Sequence, residues 1–170
     1  MSEQKLKCYV SHASEFLSEP WTMLILREFM IFGGTRRFEQ LYSTLGISRN
    51  VLTKRLKRLQ ELDLIKKAPI FQDSRRMSYK LRRKAWELAP VMLALHVWAE
   101  RWSGEDYESE IDFQDIYHNK PLSKAAVRDY KGKELNPDEV KVVPKTDNAS
   151  NYLEKHRTIT AALRDKQNAA

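Results

Sequence analysis

Phe38-Glu39-Gln40-Leu41-Tyr42-Ser43-Thr44-Leu45-Gly46-Ile47-Ser48, followed by Arg49-Asn50-Val51-Leu52-Thr53-Lys54-Arg55-Leu56-Lys57-Arg58-Leu59-Gln60-Glu61, is the stretch that decides the fold. Phe38 to Leu45 reads as a short amphipathic helix ended by Gly46, whose backbone tolerates the left-handed geometry of a helix terminus. Ile47 is an apolar plug. Ser48 is a good N-cap, because its hydroxyl can accept an N–H left free in the first turn of the next helix. That helix, Arg49 to Glu61, carries Leu52, Leu56 and Leu59 at i, i+4 and i+7, and Leu62 and Leu64 extend the apolar content into its exit. One stripe is therefore buried.

At the helical repeat Asn50, Thr53, Lys54 and Lys57 fall opposite the leucines, and Arg55 falls beside them. Such a helix suits the DNA major groove, where Asn pairs with adenine, Thr meets a thymine methyl and Lys reaches guanine or phosphate. The same pattern also describes a solvated, lysine-rich surface helix, and the downstream sequence separates the two. After Leu64 the period shortens: Ile65 to Phe71 and Met77 to Leu81 read as strands around a polar turn, Gln72 to Arg76. A hairpin directly after a recognition helix is a wing, with Arg75 and Arg76 at its tip facing a minor groove or phosphates. The expected DNA contacts are Arg36, Arg37, Ser48, Arg49, Asn50, Thr53, Lys54, Lys57, Arg75 and Arg76.

Charge supports that reading by where it lies. The chain of 170 residues has a net charge of +7, yet Arg27 to Lys84 holds sixteen Lys plus Arg against five Asp plus Glu, a net of +11, so the remainder sums to −4. Positive potential is concentrated on the helix-turn-helix stretch, as a nucleic-acid footprint requires. A hydrophobic content of 42% allows a real core in one ordinary domain with appendages. No run is long and apolar enough for a membrane span, and the N-terminus has no signal-peptide core. One cysteine cannot form an internal disulfide, so a reducing cytoplasm is the expected location.

Upstream, Met1 to Lys7 reads as a loose arm and Cys8 to Leu17 as a short helix with Val10, Ala13, Phe16 and Leu17 in register. Pro20 suits the first turn of the next helix, and Trp21 to Phe32 is apolar nearly all round, which makes it the central core helix. Gly33-Gly34 ends it. Downstream, Arg83 to Trp102 is the longest helical pattern, kinked or restarted at Pro90. Its large aromatics need covering, either by the first helix of the same chain or by a second copy. A two-fold dimer suits paired half-sites on DNA, and the expected interface is Phe16, Leu88, Met92, Leu95, Trp98 and Trp102.

The string Trp21 to Glu28, then Arg37-Phe38-Glu39, Gly46-Ile47-Ser48 with Val51 to Leu56, and Arg76 with Tyr79 and Leu81, resembles the HxlR family of bacterial winged-helix regulators. With Pro90 and Trp98 the resemblance covers about residues 8 to 102. MarR-type regulators share the architecture but lack this string. The resemblance implies a homodimer on a palindromic operator, the segment from Ser48 in the major groove and the hairpin as wing. Departures are specific. Ser18-Glu19-Pro20 stands where the family has Gly-Gly-Lys, Ser74-Arg75 replaces a frequent Pro-Pro, and Arg82 replaces a capping Thr. Arg55 matches a recurrent family arginine, and its flank position points to an internal ion pair with Glu28 or Glu39. Some family members sense oxidants or electrophiles through a cysteine near position 8. Cys8, close to Lys5, Lys7 and a helix start, has the setting for a reactive thiolate, or it is simply a small apolar residue.

Beyond Trp102 an acidic connector, with Ile111 and Phe113 alternating like an edge strand, leads to a β-ribbon turning at Asn119 to Pro121 and at Lys131 to Lys133. Asn151 to Lys166 reads as a final helix. The ribbon is similar to one on HxlR-type proteins in which CxxC pairs would bind zinc. Arg128 and Lys131 stand where one pair would be, so no metal or other cofactor is expected. The four histidines have no paired ligand spacing, and five glycines form no phosphate-cradling loop. No enzymatic activity is expected. The expected fold class is α+β, mostly helical: a winged helix-turn-helix domain over 1–103 with a long dimerisation helix, and a 104–170 extension of connector, metal-free ribbon and terminal helix. The expected function is a DNA-binding transcriptional regulator, a repressor acting on double-stranded DNA, tuned through Cys8 or by a small effector. A non-specific architectural DNA-binding protein and a protein-interaction module are the alternatives.

Overall fold

Ile25, Leu26 and Phe29 are fully buried in one helix, and the rest of the fold is laid around them. The computed structural model describes residues 7–70, 73–104, 106–122, 126–136 and 139–155. That helix, α2 (Thr22–Ile31), follows α1 (Tyr9–Leu17). Its end is closed by two glycines in the left-handed region, Gly33 at φ 71° and Gly34 at φ 80°. The Gly34 N–H donates to Phe29 O at 2.6 Å and the Gly33 N–H to Met30 O at 3.4 Å, a Schellman closure that satisfies carbonyls the helix leaves open. The helix starts at Thr22 because Trp21 takes a left-handed φ of 73°, where a bulky side chain is rare.

Next come β1 (Thr35–Arg36), α3 (Phe38–Leu45) and α4 (Arg49–Glu61). Both helices have the bounds that their sequence signals predict. Gln40 Oε1 accepts the Arg37 N–H at 2.8 Å at the start of α3, Gly46 adopts φ 64° at its end, and Ser48 Oγ accepts the Val51 N–H at 3.3 Å. The end of α4 repeats the α2 closure with Asp63 in the left-handed seat at φ 59°. There Leu64 N–H reaches Leu59 O at 2.9 Å and Asp63 N–H reaches Gln60 O at 3.0 Å.

β2 (Ile65–Ile70) and β3 (Asp73–Leu81) pair antiparallel, and β1 joins the other side of β3 to give the order β1-β3-β2. One expectation changes here, and one strand is added. The second strand starts at Asp73, so Arg75 and Arg76 lie in a strand and not in the turn, because Ile70 pairs with Asp73 across a register shift after Pro69. β1 has no sequence signature, since two residues cannot display a period; it exists because β3 offers it an edge. The Leu81 N–H bonded to Gly34 O at 2.8 Å fastens the same corner.

The core cluster joins Ile25, Leu26, Phe29, Leu41, Ile47, Leu52, Leu56, Leu59, Leu64, Ile65, Tyr79, Leu81 and Ala85. α2, α3, α4 and the wing therefore share one interior. The long C-terminal pattern divides into α5 (Arg83–Trp86) and α6 (Ala89–Trp102), with Pro90 in the first turn of α6, where a proline costs no hydrogen bond. No helix among the described residues is long and apolar enough to cross a membrane.

The chain divides into two units, Ser14–Ala125 and residues 1–13 with 126–170. In the first, 106–122 contributes an isolated bridge, Gln114 to Pro121, and Ile111 and Phe113 form no strand. Instead Phe113 sets its ring edge-on to His96 at 4.9 Å, and Asp112 Oδ1 lies 3.3 Å from His96 Nε2. In the second unit β4 (Val127–Arg128) and β5 (Glu134–Leu135) make a two-stranded ribbon, turned through Gly132 at φ 86°. Arg128 Nη1 donates to Gly132 O at 2.9 Å across that turn. Residues 147–155 are helical; the remainder of the expected final helix, including His156, Ile159, Leu163 and Lys166, lies outside the described residues.

Candidate nucleic-acid interface

The outward face of α4 is what its sequence dictates. Leu52, Leu56 and Leu59 are at most 1% exposed, whereas Asn50, Thr53, Lys54 and Lys57 are exposed at i, i+3, i+4 and i+7, one side of the helix. None of these four side chains has a hydrogen-bonding or ionic partner among the described residues. Their donors and acceptors face outward on one side of α4.

The other cations of α4 are engaged. Arg49 makes two bonds to Glu39, Nη1 to Oε1 at 3.0 Å and Nη2 to Oε2 at 2.8 Å. It also lies over the Tyr42 ring at 4.6 Å, and Glu39 holds its guanidinium pKa above the ordinary arginine value, first through the hydrogen bond and then through charge. Arg55 pairs with Glu19, not with Glu28 or Glu39 as the sequence suggests. Arg58 Nε lies 3.8 Å from the same Glu19.

Arg36 must be moved from the expected DNA contacts to the interior. It is 7% exposed, its Nη2 donates to Glu28 Oε2 at 3.3 Å, and its guanidinium lies 3.9 Å from the centre of the Phe32 ring. Glu28, itself buried, also accepts from Arg27 at 3.0 Å. Charge counting cannot separate a buried arginine from a surface one; only the pairing of β1 with β3 turns Arg36 inward. Arg37 is exposed beside it. Ser48 is occupied as the cap of α4. On the wing Arg76 is exposed, and the side chain of Arg75 lies outside the described residues. The sheet adds residues the sequence reading passed over: Lys66 and Lys80 are paired in register and both exposed. Two like charges opposite one another are unfavourable by themselves and strengthen the potential on that face. Strand alternation was the signal that could have found them.

The expected dimer residues separate into two groups. Phe16, Leu88 and Met92 pack against the chain's own core. Leu95, Trp98 and Trp102 stay outside, at 48%, 64% and 67% exposure. Cys8 is exposed and caps α1: its Sγ accepts the Ser11 N–H at 3.3 Å, while Ser11 Oγ accepts the Cys8 N–H at 3.3 Å. Ser11, chiefly by its side chain and then by its amide, holds the thiol below its ordinary pKa. No group of three metal-ligating side chains occurs among the described residues.

A paired α3 and α4, a basic outer face and the β2–β3 hairpin behind them define a winged helix-turn-helix domain. A family model described as HxlR-like helix-turn-helix matches residues 16–107, and the chain belongs to that family. It is 40% identical over 93 residues to the uncharacterized HTH-type transcriptional regulator MT3179 of Mycobacterium tuberculosis, across 55% of this chain and 58% of that protein. The chain thus matches little more than half the length of that relative. With YvaP of Bacillus subtilis, also an uncharacterized HTH-type transcriptional regulator, identity is 30% over 103 residues, covering 60% of this chain and 94% of YvaP. Among solved structures, the crystal structure of PA1607, a proposed transcription factor, superposes with a TM-score of 0.73 at 26% identity, covering 85% of this chain and all of PA1607.

Proposed function

We propose that the protein is a sequence-specific transcriptional regulator that acts in the cytoplasm as a homodimer, repressing from a palindromic operator. The observation that carries this reading is the exposed set Asn50, Thr53, Lys54 and Lys57, without partners among the described residues, on a helix whose opposite face is sealed in leucine. In the proposed complex α4 lies in the major groove with Asn50 and Thr53 reading base edges and Lys54 and Lys57 at phosphate or guanine. Arg37 and Arg76 add backbone contacts. Two copies joined through Leu95, Trp98 and Trp102 would set the two reading helices one duplex turn apart. Residues 1–103 make the DNA-binding module in this reading and 104–170 an appendage to it. Control falls to Cys8, whose exposed, Ser11-activated thiol suits an oxidant or electrophile, with a small effector beneath α6 as the other means.

The test is selection of duplexes from a randomised pool, followed by footprinting on the region upstream of the protein's own gene. Lys54→Ala and Lys57→Ala weaken binding to every duplex and flatten its salt dependence by about one unit each. Asn50→Ala loses ~1 to 3 kcal/mol of discrimination at one base position while non-specific affinity holds. Equal losses on selected and random DNA for Asn50→Ala would contradict base reading and favour an architectural DNA-binding role.

A further inference from the structure

We propose that Glu19 is a positioning residue for the DNA-reading helix, holding α4 by its flank and keeping Arg55 off the DNA backbone. This rests on the reading of α4 given above. Glu19 occupies the turn between α1 and α2, and its backbone is tied to both: its N–H donates to Phe16 O at 3.3 Å and its carbonyl accepts the Thr22 N–H at 3.1 Å. Pro20 and the left-handed Trp21, φ 73°, follow directly, so the turn has little freedom. From this fixed base the carboxylate spans one turn of α4. Oε2 accepts from Arg55 Nη1, and Oε1 lies 3.8 Å from Arg58 Nε.

The contact is part-buried, with side-chain exposures of 26% for Glu19 and 27% for Arg55, and salt screens such a pair less than a fully solvated one. Arg55 Nε is buried and makes no hydrogen bond among the described residues, so Glu19 is the anchor of that guanidinium. Of the five cations on α4, Arg49 is held by Glu39, Arg55 by Glu19, and Arg58 lies between Glu61 at 3.6 Å and Glu19 at 3.8 Å. Lys54 and Lys57 remain. The leucine stripe fixes which face of α4 is buried but leaves small rotations open, because apolar contact has no direction. An ion pair at the flank does have direction. It also keeps the flank arginine Arg55 from swinging out to a phosphate, a contact it would make on any sequence.

The experiment uses the full chain, a duplex that the wild-type protein enriches from a randomised pool, and a shuffled duplex of the same composition. Glu19→Gln is expected to tighten binding to the shuffled duplex, to steepen its salt dependence by about 1 unit as Arg55 reaches a phosphate, and to lower the preference for the enriched duplex roughly tenfold. A role in folding alone would move the thermal midpoint and leave the salt slope unchanged. The charge exchange Glu19→Arg with Arg55→Glu restores the pair while Arg58 keeps Glu61, so it is expected to recover most of the preference, and it decides the matter where Glu19→Gln alone unfolds the chain. An unchanged preference and salt slope in Glu19→Gln, or no recovery in the exchange, overturns the positioning role while base reading stands. Failure of the wild-type protein to enrich any duplex overturns both.

Discussion

Arg36 and Glu28 show what a single residue type can conceal. Both are charged and both are buried, at 7% and 5% exposure, and each is tolerated because the other neutralises it within 3.3 Å. Removing one leaves a buried charge without its counterion, so Glu28→Ala should destabilise the chain by about 3 kcal/mol in denaturant titration. An effect as small as that of a surface pair, below ~1 kcal/mol, would mean that Arg36 escapes to solvent. Cys8 illustrates the opposite case, an exposed residue whose chemistry is set by neighbours three positions on. Ser11 lowers its pKa, so the thiolate persists at lower pH than in a free cysteine. The rate of Cys8 alkylation plotted against pH should turn up below the range of a model thiol, and Ser11→Ala should move the curve upward. Coincident curves for the two proteins would show that Ser11 does not activate the thiol.

At the scale of elements, local signals worked where the cause is local. The bounds of α3 and α4 are legible because Gly46, Ser48 and the leucine spacing act within a few residues of the boundary they set. Pro90 likewise marks the break between α5 and α6. The wing is legible as a hairpin but its turn is not, because Arg75 and Arg76 look like loop residues until Asp73 is seen paired with Ile70. In sequence the Gly33-Gly34 pair is a simple stop, whereas in the structure its two members differ. A Cβ on Gly33 would meet nothing within 4 Å, while one on Gly34 would fall 2.6 Å from Trp86 Cζ2. Gly33→Ala should therefore cost only the left-handed backbone, about 1 kcal/mol. Gly34→Ala adds overpacking against α5 and should cost at least about 2 kcal/mol. Equal losses in thermal denaturation would show that Trp86 moves aside freely.

For the whole molecule the open question is what covers α6. Trp98 and Trp102 are roughly two-thirds exposed, beside Leu95 and Val91 at 48% and 44%, a row of large apolar side chains at helical spacing of the kind that marks an interaction surface. Trp98→Asp with Trp102→Asp should shift sedimentation from dimer to monomer and weaken binding to a palindromic duplex far more than to a half-site. A wild-type protein that sediments as a monomer would remove the two-fold reading while leaving the helix-turn-helix face intact. The expected interface residues are not all of one kind, since Phe16, Leu88 and Met92 are taken up by the chain's own core.

The amino-acid sequence by itself determined the helix-turn-helix, the wing and the outward set Asn50, Thr53, Lys54 and Lys57, because periodicity and caps act over one or two helical turns. Only the tertiary structure decided which charges remain available. The Glu19 to Arg55 pair joins residues 36 apart and Arg36 meets Glu28 across a strand that exists only by pairing. Such partnerships depend on how elements are brought together in space, and no spacing along the chain encodes them.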